Sequence, residues 1–209
     1  MIFLWLVHMS KNFICTVHKV RSYLPIRKAV HISGSLFPLM AIYFGKNVAL
    51  GMVSSLLLLF LVTEFSKPLL TKYSLFQVLW RESEFRSFAL APFLYLISIL
   101  FLLLLSFRLN ESICYASIIV LTMGDGLSTI FGVHGKMCYK GSSKTLEGTL
   151  AGLIGAIIFS YPLVGYLSIV GGLVGMYLEL KSKKLDNIIV PFSALVAMLI
   201  VQALVNAYI

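Results

Sequence analysis

Long apolar runs recur along this chain, separated by short clusters of charge. They fall at 30–45, 47–66, 87–107, 113–133, 147–161, 163–180 and 187–208. A helix rises about 1.5 Å per residue, so roughly 20 apolar residues cross a hydrocarbon core of about 30 Å. The runs approach or match that length and carry polar residues mainly at their ends. The pattern predicts an all-α fold: a polytopic membrane helix bundle of about seven transmembrane helices, forming a single membrane domain over 1–209. The first 26 residues differ, being apolar at 2–7 but interrupted by Lys11 and Lys19. Segment 1–26 therefore reads as interfacial. No basic stretch precedes its apolar run and no small-residue cleavage site follows, which argues against a signal peptide.

Composition strengthens this reading. The chain is 59% hydrophobic and only 12% charged, with a mean hydropathy of +0.96. Soluble domains run at about half apolar and a quarter charged. A net charge of +9 invites a nucleic-acid partner, but its distribution points to the bilayer instead. Fifteen of the 17 basic residues fall before the first run or in alternate connections, and only Lys46 and Arg108 lie opposite. The positive-inside rule then puts the N-terminus in the cytoplasm and the C-terminus outside. The excess charge attracts anionic headgroups, so membrane lipids and not nucleic acid are the expected partners. Cys15, Cys114 and Cys138 show no zinc spacing, and their odd number predicts reduced packing residues.

The acidic residues add what topology does not require. Glu64, Glu82, Glu84, Asp125, Glu147, Glu179 and Asp186 all fall on the predicted cytoplasmic side, leaving only Glu111 opposite. Acids contribute little to orientation, so their gathering predicts cytoplasmic chemistry. Asp125 stands out, placed between Gly124 and Gly126 inside an apolar run. It lies about 12 Å from the end of that helix, and an intramembrane carboxylate reads as functional by default. Its flanking glycines loosen the helix and would let a ligand approach the backbone.

The connection after this run is rich in Gly, Ser and Lys: Gly132, Gly135, Lys136, Lys140, Gly141, Ser142, Ser143, Lys144 and Thr145. That composition suits backbone N–H and ammonium contacts with phosphate. It is not a Walker A loop, since Ile130 replaces the first glycine, Met137 follows Lys136, and no strand precedes it. Thr145 is placed to cap the helix opening at Leu146, whose free N–H groups form an anion site beside Lys144. Glu147 in that first turn repels phosphate unless a divalent cation intervenes. Together with Asp125 it predicts a magnesium-bound nucleotide, because Mg²⁺ binds through one or two carboxylates plus phosphates. Arg27, Lys28 and His31 stand at the entry to the first run, and Glu179 and Asp186 at the sixth and seventh. The segment 67–86 reads as an amphipathic interfacial segment, suited to a lid or a gate for a lipid substrate.

The motifs Arg27-Lys28-x-x-His31-x-x-Gly34, Gly124-Asp125-Gly126-x-Ser128-x-x-x-Gly132-x-x-Gly135-Lys136, Lys144-Thr145-x-Glu147-Gly148-Thr149 and Glu179…Asp186-Asn187-x-x-x-Pro191 occur in this order. The set resembles the CTP-dependent lipid-alcohol kinases: dolichol kinase, phytol and farnesol kinase, and yeast-type diacylglycerol kinase. The likeness runs from 27 to 191, with Ser128 where the family more often has alanine. It implies a multi-helix membrane enzyme that uses CTP, or another nucleoside triphosphate, with Mg²⁺ or Mn²⁺ to phosphorylate a long-chain alcohol. Asp125, Lys144 and Glu147 are then the expected catalytic residues. Arg27, Lys28, His31, Gly124, Gly126, Ser128, Gly132, Gly135, Lys136, Lys144, Thr145 and Gly148 would line the nucleotide. Asp125 and Glu147 would hold the metal, with Glu179 and Asp186 as further candidates.

A CDP-lipid synthase would share CTP, Mg²⁺ and a membrane lipid, but there the lipid would attack the α-phosphate of CTP and release pyrophosphate. Diacylglycerol is an alternative acceptor to an isoprenoid alcohol. A transporter also tolerates an intramembrane Asp, yet here the polar residues gather at one side instead of forming a path, and no inverted repeat is evident. The acceptor, the nucleotide preference and the oligomeric state stay open at this level.

Overall fold

The computed structural model describes residues 24–67, 84, 87–139, 142, 144–182 and 185–208. Within them the chain is helical, without a named strand. The helices are α1 (Leu24–Ser33), α2 (Leu36–Phe44), α3 (Lys46–Phe65), α4 (Leu90–Leu105), α5 (Glu111–Ile119), α6 (Asp125–Gly132), α7 (Leu146–Val164), α8 (Leu167–Lys181) and α9 (Asp186–Tyr208). A π-helical turn, Val120–Gly124, joins α5 to α6 without a break. Four helical stretches are long and apolar enough to cross a membrane: Lys46–Phe65, Glu111–Gly132, Leu146–Val164 and Asp186–Tyr208. Leu90–Leu105 is a shorter apolar helix.

The expected element positions hold closely at α3, α4, α7 and α9. The first apolar run, predicted as one helix over 30–45, is two: α1 ends at Ser33 and α2 begins at Leu36. The break falls at Gly34-Ser35, and each piece is too short to cross a bilayer alone. The interfacial expectation for 1–26 falls mostly, and that for 67–86 almost wholly, outside the described residues. One expectation is corrected. Cys138 is disulfide-bonded rather than reduced, because cysteine pairing depends on neighbours in space and not on local spacing. Cys114 is free and buried, as expected.

The α5–π–α6 stretch is the axis of the bundle. Of its most apolar window 78% is buried, against 17% for α3, so it is encased by protein while α3 faces outward. Helix α7 packs along it and against α8, α8 lies along α9, and α9 returns to α5 and α4. Helix α1 rests on α6 and the π turn. Ile99, Leu102, Leu103, Ile113, Ile118, Leu121, Met176 and Met198 form the fully buried centre. In hydrocarbon, apolar burial drives little association, so close backbone approach matters more. Gly148 provides it: a Cβ there would fall 2.4 Å from the Ser128 carbonyl oxygen and 2.8 Å from Gly132 Cα. Both are backbone atoms that cannot rotate away. Gly148→Ala should therefore lower stability in detergent by about 1–3 kcal/mol. Gly51→Ala, at a position opening onto empty space, should be neutral or stabilising by about 0.5–1 kcal/mol; equal melting shifts for the two variants would refute the packing argument.

Candidate active site at one end of the bundle

Asp125 is the first residue of α6, immediately after the π turn. Such turns shift the helical phase and often accompany functional sites. The residue is 5% exposed, and a carboxylate so buried needs positive partners. Helix α1 delivers them. Lys28 and His31 are three residues apart, hence on one helix face. Lys28 Nζ donates to Asp125 Oδ2 at 2.7 Å and lies 3.5 Å from the Asp125 carbonyl oxygen. His31 Nε2 is 3.0 Å from the same Oδ2, but among the described residues it has no hydrogen-bond partner in aligned geometry. That contact is one of proximity.

The hydroxyls of Ser128 and Thr129 donate to the Asp125 carbonyl oxygen at 3.0 Å and 3.1 Å. Ser128 thus adds one polar contact that an alanine would lack. The flanking glycines also allow close packing. A Cβ at Gly124 would fall 2.8 Å from Met176 Sδ, and one at Gly126 2.4 Å from Ile32 Cγ1.

The second polar group joins the 133–145 connection to α8. Lys144 Nζ pairs with Glu179 Oε1 at 2.6 Å and also donates to the Glu179 and Ser182 carbonyl oxygens. It therefore compensates the 4%-exposed Glu179 and caps the last turn of α8, where a cation is favoured. Asp125 and Asp186 both lie within electrostatic reach of Glu179, so these acids share one end of the bundle.

Thr145 caps α7 as expected, accepting from Gly148 N at 3.2 Å, and its hydroxyl reaches the Gly132 carbonyl at 3.3 Å. Cys138 and Thr145 form an isolated antiparallel bridge that closes the connection on itself. Glu147 turns back onto this connection. Its Oε1 accepts from Lys136 N at 2.8 Å and Met137 N at 3.1 Å, and its oxygens clamp the turn that contains Gly135. The Lys136 side chain is exposed. Asp186 Oδ1 accepts from Asn187 N at 3.0 Å, at its own helix start. Arg27 lies in α1, its side chain outside the described residues, as are Lys140, Gly141 and Ser143.

Among the described residues, no three His, Cys, Asp or Glu side chains converge as metal ligands. Mg²⁺ arriving with a triphosphate needs fewer, one or two carboxylates with phosphates completing the shell. Both described side-chain contacts to the Asp125 carboxylate fall on Oδ2, and the contact to Glu179 falls on Oε1. Asp125 and Glu179, within electrostatic reach of each other, are the acids that would fill that role. Glu147 is engaged by loop amides.

Two features were not assigned from the sequence. Tyr95 of α4 stacks on the His31 ring, with centroids 4.1 Å apart, and donates its hydroxyl to the His31 carbonyl at 2.5 Å. A lone tyrosine among the Leu, Ile and Phe of that helix was the available signal. Glu64 and Lys67 form a buried pair at the end of α3. Glu64 Oε1 accepts from Ala89 N at 2.8 Å, and Lys67 donates to the Glu84 and Ser87 carbonyls at 2.9 Å. Asn187 Nδ2 ties α9 to α4 through the Ala91 carbonyl at 2.8 Å.

Fold and site together define an all-helical protein, with helices of membrane-crossing length and a buried carboxylate cluster at one end. The chain matches no family model, and no solved structure matches it. It is 40% identical over 81 residues to an uncharacterized protein of Methanocaldococcus jannaschii, a match covering 37% of this chain and 42% of that protein. The chain thus spans under half the length of that curated relative.

Proposed function

We propose that this chain is an integral-membrane kinase of about seven spans that transfers the γ-phosphate of CTP, or another nucleoside triphosphate, to the hydroxyl of a long-chain isoprenoid alcohol. In this reading the site faces the cytoplasm, where soluble nucleotide meets an acceptor anchored in lipid. The observation that carries it is Asp125, buried at one end of the bundle with Lys28 and His31 upon it and the Lys144–Glu179 pair nearby. The ordered motifs of the lipid-alcohol kinases supply the substrate class.

Phosphoryl transfer depends mainly on positioning and charge neutralisation. Asp125 and Glu179 would hold Mg²⁺, which when bound offsets the triphosphate charge. Lys144 and the N–H groups at the start of α7 receive phosphate oxygens, and Lys28 and His31 fix the Asp125 carboxylate in place. As the acceptor oxygen bonds to the γ-phosphorus, the bond to the β-phosphate oxygen breaks and CDP leaves. The hydroxyl proton passes to a carboxylate oxygen at Asp125. Purified protein in detergent, given farnesol, geranylgeraniol, phytol, dolichol or diacylglycerol, should move label from γ-labelled CTP onto lipid. With phosphatidate supplied, label reaching lipid only from α-labelled CTP, with pyrophosphate released, would instead establish a CDP-lipid synthase.

A further inference from the structure

Helix α1 is only ten residues long, yet it carries both basic groups on Asp125. Its direction about its own axis decides whether Lys28 and His31 meet the carboxylate, and something outside α1 must set it. Tyr95, 7% exposed, reaches α1 from α4. It grips His31 twice, through the ring stack at 4.1 Å and through the hydroxyl on the main-chain oxygen at 2.5 Å. That oxygen lies in the last turn of α1, where it also accepts from Gly34 N at 3.2 Å.

Gly34 completes the seat. A Cβ there would fall 1.8 Å from the Tyr95 hydroxyl oxygen and 2.9 Å from Thr122 Cγ2. The tyrosine oxygen therefore occupies the space that only glycine leaves. This accounts for Gly34 in the Arg27-Lys28-x-x-His31-x-x-Gly34 motif, which phosphate chemistry alone does not explain. A phenylalanine would fill the ring volume equally well, so the hydroxyl serves orientation more than packing.

We propose that Tyr95, seated on Gly34, is the positioning residue that holds His31 and Lys28 against Asp125. The kinetic consequence rests on the kinase reading; the structural one does not. Tyr95→Phe removes one oxygen and keeps the ring, and Tyr95→Leu removes both grips. With histidine rings labelled with ¹³C in nanodiscs, the His31 signal is assigned by its loss in His31→Gln. Stacking on Tyr95 shifts it upfield. Tyr95→Leu should move it downfield, and Tyr95→Phe should shift it by a smaller amount. In transfer from CTP, kcat should fall between about tenfold and a hundredfold, as expected for a displaced site group, with KM for CTP little changed. A His31 signal unmoved in both variants overturns the proposal, as does wild-type kcat in Tyr95→Phe. If the wild-type protein transfers no phosphate at all, the kinase reading fails and the His31 signal alone decides the role of Tyr95. Should Tyr95→Leu fail to fold, the near-isosteric Tyr95→Phe carries both measurements.

Discussion

Asp125→Asn should leave a folded, membrane-inserted protein whose transfer of phosphate from CTP is reduced by about 10²–10⁴-fold, the range for loss of a positioned acid–base group. The amide keeps the shape of the carboxylate and can still accept from Lys28, so packing between α1 and α6 persists. What disappears is the negative charge that, on the proposed function, would hold a metal and receive a proton. Lys28→Met behaves differently. It strands a 5%-exposed carboxylate with only the poorly aligned His31 beside it, and breaking such a buried pair costs about 3–5 kcal/mol. The double variant Lys28→Met with Asp125→Asn removes the stranded charge and should regain most of that stability while staying inactive. Thermal unfolding in detergent and γ-label transfer, measured on all three, separate the two roles. Full activity in Asp125→Asn would end the assignment of this carboxylate to catalysis.

Lys144 gives the second large effect, and here the structure alters what the sequence alone predicts. Read from the motif, Lys144→Ala is a simple loss of phosphate binding. In the fold, Lys144 also compensates Glu179 and caps α8. Lys144→Ala should therefore lose stability as well as activity, by about 3–5 kcal/mol if Glu179 remains charged and buried. Glu179→Gln in the same chain removes the uncompensated charge and should restore the melting temperature toward wild type. Transfer should stay at least about 10²-fold down, because both a phosphate contact and a proposed metal-holding carboxylate are lost. Recovery of activity together with stability would make Lys144 a structural clamp only.

These expectations illustrate what was legible along the chain. Apolar run length placed α3, α4, α7 and α9 within a few residues, because hydrocarbon thickness translates directly into residue count. The same signal joined α1 to α2, since Gly34 and Ser35 are too small and too few to interrupt a hydropathy pattern. The π turn before Asp125 was also invisible, as the π-helical register leaves no compositional mark of its own. Thr145 as a cap was readable because capping is local, its acceptor and donor three residues apart.

The site divides along the same line. Asp125 was singled out as a charge inside an apolar run, Lys28 and His31 by their place at the entry to the first run, Lys144 by the Gly-, Ser- and Lys-rich connection, and Glu179 by its place at a helix end. Their pairing was not available, because Lys28 reaches Asp125 across 97 residues and Lys144 reaches Glu179 across 35. Glu147 was grouped with Asp125 on charge, whereas folding turned it onto the amides of its own connection. By itself the sequence determined that the chain forms apolar helices of membrane length and which charged groups are held among them, since both follow from the energetics of single residues in hydrocarbon. Only the tertiary structure decided which charge meets which, and that Tyr95 and Gly34 stand behind His31, because those contacts depend on helix rotation and backbone approach that no local pattern encodes.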